Sequence, residues 1–326
     1  MKANRFVTTA FSLHSSFREL SSRYNAFILD QYGVLHNGRE PLPGVLEVLK
    51  DLHASNHKLV ILSNTSSPAS SSLKKLQKMG FDPEWFAAGA VTSGEAASAY
   101  IHRTYGRELQ GQTCKKIMFL TYQPGFFAPP PQEFLSQCGS IDISASVEET
   151  DLIVAHGGEI WYRGLSESSI SLDDFMSKSS FEILGPILEA CCKRQVPMIC
   201  ANPDFMARFA DNSIGYMPGT MAKYYEDMGG EVIYFGKPYL EHFDASLQKL
   251  GMDKSKVAHV GDSLYHDIAG ANAAGIDSVF VSSGIHAEEL NIAYGELPSL
   301  TALEELFKNE KTTPTHVVSA FSYSKL

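Results

Sequence analysis

Three short, continuous apolar runs punctuate the chain, and each is closed by polar residues able to carry chemistry. Ala26-Phe27-Ile28-Leu29 ends at Asp30, Leu59-Val60-Ile61-Leu62 runs into Ser63-Asn64, and Val257-Ala258-His259-Val260 runs into Gly261-Asp262. Runs of this length without alternation suit strands buried on both faces of a parallel sheet. Residues 44–55 carry Val45, Leu46, Val48, Leu49 and Leu52 at helical spacing, and residues 67–79 repeat the pattern with Leu73, Leu76 and Met79. Both read as crossover helices, and Val91-Thr92-Ser93-Gly94 followed by residues 95–102 continues the alternation. The polar tips would then share the carboxyl edge of one sheet, where open α/β folds bind their ligands.

Beyond residue 95 the pattern changes. Residues 123–132 hold Pro124, Gly125 and Pro129-Pro130-Pro131, which is loop chemistry. Further strand signals follow at Ile117-Met118-Phe119-Leu120, Asp151-Leu152-Ile153-Val154 and Pro197-Met198-Ile199-Cys200, with a helical stretch over 181–194. The expected class is α/β: a Rossmann-like parallel-sheet core, residues 1–94 and 229–326, carrying an inserted α/β domain over 95–228. The core is expected to resume at Val232-Ile233-Tyr234-Phe235 and to close with a helix over 301–308. A chain of 326 residues is long enough for two such domains. Residues 1–18 hold Lys2, Arg5 and Arg18 and no acid, a composition shared with organellar transit peptides. An opening helix over 11–24, packed on the core of a cytoplasmic protein, is the preferred reading.

Composition narrows the partners. With 44% hydrophobic and 20% charged residues the chain is ordinary for a globular protein. A net charge of -10, from 27 Lys+Arg against 37 Asp+Glu, lacks the basic footprint of a nucleic-acid surface. No apolar run reaches the roughly 18 residues of a membrane span. Cys114, Cys138, Cys191, Cys192 and Cys200 lack zinc-ligand spacing and read as reduced thiols.

Taken alone, Asp30 reads equally as a helix cap or turn residue; its company adds meaning. Downstream come Ser63-Asn64, Gly236-Lys237-Pro238, and Gly261-Asp262-Ser263 with Asp267 five residues beyond Asp262. A carboxylate nucleophile, Asp30, can split a phosphoryl displacement into two easier steps. Asp30 and Asp262 at one sheet edge would repel each other unless a hard divalent cation, magnesium, lay between them. Lys237, Ser63 and Asn64 are donors for the equatorial phosphate oxygens. Asp267, in the first helical turn after Asp262, could orient Lys237 or a metal-bound water.

These four motifs, in this order and with an insertion between the second and third, resemble the haloacid dehalogenase-like hydrolase superfamily over residues 20 to 310. The place of the insertion is similar to class IIA members, which include phosphoglycolate, pyridoxal-phosphate and nitrophenyl-phosphate phosphatases. That resemblance implies an α/β cap over the site, magnesium held by Asp30, Asp262 and the backbone carbonyl of Tyr32, a small phosphorylated substrate, and a homodimer formed through the cap. Asn202-Pro203-Asp204 and Pro218-Gly219-Thr220 match the cap's substrate-facing segments and the return to the core, which makes Asn202, Asp204 and Thr220 substrate-binding candidates. The other reading of Asn202-Pro203-Asp204 is a plain turn. Motif one, Asp30-Gln31-Tyr32-Gly33-Val34-Leu35-His36-Asn37-Gly38, is closer still to a branch with an aromatic residue in it.

Motif one also departs from the family's phosphatases, in which a second aspartate stands two residues after the nucleophile. Here Tyr32 stands there. A phenol with an ordinary pKa of about 10 donates a hydrogen bond but is a poor base, so hydrolysis of an aspartyl-phosphate should suffer most. The preferred reading is a phosphatase or phosphotransferase with reduced turnover. A catalytically dead magnesium- and phospho-ligand-binding protein comes second. A 2-haloacid dehalogenase comes third, because those enzymes lack the acidic fourth motif that Asp262 and Asp267 supply. His36 and His266 lie near motifs one and four as substitute bases, though loop and helix duties are the plainer account of each. His156-Gly157-Gly158 is a further strand-end loop that could face the site. Trp161, Tyr162, Phe205, Tyr216, Tyr224 and Tyr225 read as packing rather than as a stacking platform.

Overall fold

The computed structural model describes residues 11–107, 114–125, 130–209, 211 and 213–324. Residues 1–10 of the transit-like segment and Pro129 lie outside the described residues. Four strands open the first sheet: β1 (Ser12–Leu13), β2 (Ala26–Leu29), β3 (Lys58–Ser63) and β4 (Ala90–Thr92). A second sheet follows, with β5 (Lys115–Thr121), β6 (Ile141–Ile143), β7 (Leu152–Ala155), β8 (Ile160–Tyr162), β9 (Ile170–Ser171) and β10 (Met198–Cys200). A hairpin of β11 (Met206–Arg208) and β12 (Ile214–Tyr216) precedes β13 (Val232–Tyr234), and β14 (Val257–Gly261), β15 (Asp277–Val281) and β16 (His316–Val318) return to the first sheet.

The first sheet is wholly parallel, in the order β1-β16-β15-β14-β2-β3-β4. It is covered on both faces, which is why its strands read as continuous apolar runs. Along β2, Phe27 and Leu29 join one core with Val45, Val48, Leu49 and Leu52 of helix Val45–Ala54. Ala26 and Ile28 point the other way, onto Phe243, Leu247 and Leu250 of helix Leu240–Leu250 and Ala271 and Ala274 of helix Ala269–Ala274. The alternation of Cβ directions along one strand thus builds two cores at once. β2 lies between β14 and β3, so Asp30, Ser63 and Asp262 emerge side by side at the carboxyl edge. Among the described residues no helix is long and apolar enough to cross a membrane.

The second sheet runs β13-β10-β7-β5-β8-β9, with β6 beside β5, and forms the core of the inserted domain expected to act as the cap. Met118 and Leu120 of β5 pack toward helices Leu184–Lys193 and Pro218–Asp227, while Ile117 and Phe119 pack toward helix Ser93–Thr104 and Phe134.

Two boundaries differ from the sequence reading. Val232–Tyr234 does not resume the core: β13 pairs in parallel with β10, so the return falls at Gly236-Lys237, and Pro218-Gly219-Thr220 opens a helix that packs on the cap sheet. An apolar run of four cannot reveal which parallel sheet it joins. The opening helix over 11–24 is also corrected, to β1 paired with β16 and one helical turn at Arg18–Ser21. Phe17 and Leu20 are buried as expected, but backbone pairing of Ser12 and Leu13 with His316 and Val317 fixes an extended start.

Candidate active site

Four chain segments meet at the carboxyl edge of the first sheet. Asp30 follows β2, Ser63 closes β3, Lys237 follows β13, and Asp262 and Asp267 follow β14. All five are buried. Lys237 is the hub: its Nζ donates to Asp30 Oδ1 at 2.6 Å and to Asp267 Oδ1 at 2.7 Å. Asp267 Oδ1 also accepts from His259 Nε2 at 2.8 Å, and its Oδ2 accepts the Ser263 N–H at 3.0 Å. Asp262 Oδ2 accepts the Ile285 N–H at 2.8 Å.

Three carboxylates against one ammonium leave the cluster short of positive charge. Burial pushes the Asp30 carboxyl up to about 7 despite the opposing pull of Lys237. Asp262 is raised well above the usual carboxylate range, first by burial and then by its neighbours Asp30 and Asp267. Asp267 goes the other way: burial would raise it, but Lys237 and His259 together hold it well below. Lys237, in turn, is held above its ordinary value by Asp267 and Asp30 against the opposing effect of burial.

Among the described residues, Asp30, Asp262 and Asp267 each place an oxygen within 4.8 Å of the others. The backbone is drawn tightly around Asp262: a Cβ on Gly33, whose φ is +80, would lie 2.0 Å from its Oδ2, and one on Gly284 would lie 2.1 Å from the same atom. That cradle brings the Tyr32-Gly33 peptide against Asp262. Hard oxygen donors and uncompensated negative charge fit a small divalent cation. Asp267 has both oxygens committed to protein donors, which suits an orienting role rather than that of a ligand.

Asn64, expected as a substrate contact, is held by protein partners on both sides of its amide. Its Oδ1 accepts the Lys237 N–H at 2.7 Å, and its Nδ2 donates to Asp204 Oδ1 at 2.8 Å, so the amide fastens motif three and the cap loop to the core. Asn202 Oδ1 accepts the Asp204 N–H at 3.1 Å, the turn that was the alternative reading. Thr220 spends its hydroxyl proton on the Phe205 carbonyl at 2.6 Å. Ser63 Oγ accepts the Thr65 N–H at 3.3 Å and keeps its own proton to give.

Both candidate replacement bases are engaged within the fold. Burial pushes the imidazole of His36 down to about 3, and its Nδ1 accepts the Gly38 N–H at 3.0 Å. Both ring nitrogens of His266 are engaged, Nε2 with the Pro203 carbonyl at 3.2 Å and Nδ1 with Ser263 Oγ at 3.1 Å. Tyr32 folds over Gly38, edge-on to the His36 ring at 5.5 Å, and burial raises its hydroxyl to about 12. His156 is buried against Phe119 and Phe134, its Nδ1 2.9 Å from the Thr121 hydroxyl. The cap aromatics pack as expected, Tyr224 stacking on Phe181 at 3.9 Å and Tyr225 donating to the Val196 carbonyl at 2.6 Å.

His259 was missed as a site residue. Its signal was present: one polar side chain inside a buried apolar run must find a buried partner.

Comparison with known proteins agrees with this architecture. A family model described as haloacid dehalogenase-like hydrolase matches residues 27–124, a second of the same description matches 186–275, and a related model matches 234–321. A 4-nitrophenylphosphatase of Schizosaccharomyces pombe is 23% identical over 298 residues, spanning 84% of this chain and 88% of its own length. An acid sugar phosphatase of Staphylococcus epidermidis is 24% identical over 288 residues, 87% of this chain and 95% of its own. Among solved structures, a haloacid dehalogenase-like hydrolase from Brucella suis aligns with a TM-score of 0.69 at 21% identity, covering 94% of this chain and 98% of its own. A 4-nitrophenylphosphatase from Thermotoga maritima aligns at 0.62 and 23% identity, covering 93% and 97%. With three family models falling on the segments that carry the nucleophile, the lysine and the paired aspartates, the chain belongs to the haloacid dehalogenase-like hydrolase superfamily.

Proposed function

We propose that the protein is a magnesium-dependent phosphatase or phosphotransferase acting on a small phosphorylated metabolite, with Asp30 as nucleophile and slow release of the phosphoryl group. The bridging of Asp30 and Asp267 by buried Lys237, with Asp262 alongside, carries this reading. Asp30, Asp262 and the Tyr32 carbonyl would hold the cation, which when bound supplies charge neutralisation for the carboxylates and the phosphate.

Asp30 attacks phosphorus, its carboxylate oxygen forming the new O–P bond while the ester oxygen leaves with its electron pair. The ammonium of Lys237 has three protons, two of them given to Asp30 and Asp267, so the third would be left for the phosphoryl oxygens alongside the Ser63 hydroxyl. The second step is the weak one. A phenol raised to about 12 stays protonated near neutrality and cannot take a proton from the attacking water. Losing general-base help costs roughly 10² to 10⁴ in rate, so the aspartyl-phosphate should outlive that of a phosphatase with an aspartate at this position. The buried acidic cluster at motif four disfavours the dehalogenase reading.

The test is to mix the protein with 4-nitrophenyl phosphate and magnesium, quench in acid and look for covalent phosphate. The expected result is a stable acyl-phosphate on Asp30 in the wild type and none in Asp30→Asn. A wild type with neither covalent phosphate nor nitrophenol release would overturn it in favour of a binding protein.

A further inference from the structure

We infer that His259 is a positioning residue, which sets how Lys237 divides its attraction between Asp30 and Asp267; the inference rests on the phosphoryl-transfer reading of the site. His259 lies inside β14 with none of its surface exposed, and its ring meets Phe243 edge-on at 5.1 Å. The Asp267 side chain crosses the face of Gly261 to reach it, since a Cβ on Gly261 would fall 2.2 Å from Asp267 Cγ. Glycine at 261 is therefore what lets the carboxylate lie back along the strand onto His259.

At that point two donors share one oxygen. Asp267 Oδ1 accepts from Lys237 Nζ at 2.7 Å and from His259 Nε2 at 2.8 Å. An ionised carboxylate bonded by the ammonium alone would draw it strongly in a buried, low-dielectric setting. A second donor on the same oxygen takes up part of that charge and fixes where the oxygen sits. Lys237 is left at a comparable distance from Asp30, 2.6 Å, with one proton beyond those given to the two carboxylates for the phosphoryl group. Without the His259 N–H the ammonium should move toward Asp267 and away from the reacting oxygen.

Two substitutions separate positioning from packing. His259→Leu fills the space without a donor, and His259→Gln restores an N–H near the position of Nε2. All rates and affinities are scaled to the folded fraction. With 4-nitrophenyl phosphate and magnesium, His259→Leu should slow phosphoenzyme formation roughly 10- to 100-fold, as loss of an orienting partner does, with KM little changed. His259→Gln should recover much of that loss. Binding of orthovanadate with magnesium, read from the melting temperature, should follow the same order and does not depend on turnover. A wild type that binds vanadate but forms no phosphoenzyme overturns the phosphatase reading, while the vanadate series still judges His259. Equal vanadate affinity in all three proteins, or equal losses in the two variants, overturns the positioning role. A wild type that binds no vanadate overturns both.

Discussion

Asn64 of the core and Asp204 of the cap meet across the domain junction, the Asn64 Nδ2 donating to Asp204 Oδ1 at 2.8 Å. The same amide accepts the Lys237 N–H through Oδ1 at 2.7 Å. His266 reinforces the junction from motif four by bonding the Pro203 carbonyl at 3.2 Å. The cap loop is therefore attached directly to motifs two and four and, through Asn64, to motif three, which couples its position to that of Lys237.

Removing that junction should cost stability as well as activity. Asn64→Ala strands a buried backbone N–H and leaves Asp204 without its donor, a loss of about 1–3 kcal/mol. Urea unfolding should register that decrease. Asn64→Asp should be worse for activity, because it sets a second carboxylate against Asp204 and turns a lone pair toward it. An Asn64→Ala protein as stable as the wild type would show that the amide does not fasten the cap.

The acidic cluster makes an unusual prediction for Asp262. In the metal-free protein its charge is buried beside Asp30 and Asp267, with the Ile285 N–H as its donor. An asparagine oxygen can keep that hydrogen bond and remove the repulsion. Asp262→Asn should therefore melt above the wild type in chelator, while added magnesium should stabilise the wild type and leave the variant nearly unchanged. Differential scanning calorimetry with and without magnesium gives both comparisons, and a variant that melts below the wild type in chelator would contradict the repulsion.

For Tyr32 the prediction concerns the second chemical step. Tyr32→Asp places a carboxylate where the phenol folds over Gly38, and the smaller side chain leaves room for water there. Breakdown of the acyl-phosphate should accelerate at least tenfold, within the roughly 10² to 10⁴ that general base catalysis supplies, while its formation changes less. Rapid-quench measurement of phosphoenzyme decay separates the two. An unchanged decay rate would mean that Tyr32 is not what limits release.

Much of this site was legible before any coordinates because phosphate chemistry needs particular residue types at strand ends, and strand ends are marked by short apolar runs. Asp30, Ser63, Lys237, Asp262 and Asp267 come together for that reason. Asn202, Asn64 and Thr220 were harder. Whether an amide or hydroxyl meets a ligand or a protein group depends on partners that can lie far along the chain, as with Asn64 and the Asp204 carboxylate it donates to, 140 positions apart. β13 was misplaced because an apolar triplet carries no record of its partner strand. β15 and β16 passed unremarked beside the more conspicuous motif strands. His259 shows the converse: the sequence displayed the anomaly, and only the fold supplied the carboxylate it bonds.

Acid should destabilise the fold through buried histidines. His316 bonds His14 Nε2 through Nδ1 at 3.1 Å and the Tyr24 hydroxyl through Nε2 at 2.8 Å, and Tyr24 donates to Asp277 Oδ2 at 2.6 Å. This buried chain joins β16 to the opening segment. Burial, helped by His14, pushes His316 from its ordinary 6.5 down to about 4. A group that binds its proton less tightly when folded stabilises the fold at pH values above its unfolded pKa. Its contribution is thus complete above about pH 6.5 and is lost as the pH falls toward 4. His36, His156 and His242, depressed to about 3, 3 and 4 by burial, act with the same sign. The raised carboxyls of Asp30 and Asp262 act with the opposite sign in the same window, but the four histidines outnumber them, so the urea midpoint should fall between pH 6.5 and 4. His316→Asn should lower it at pH 7.5, where the neutral ring packs and bonds, yet flatten its slope below 6.5. A variant that loses stability by the same amount at every pH would show that His316 contributes packing alone.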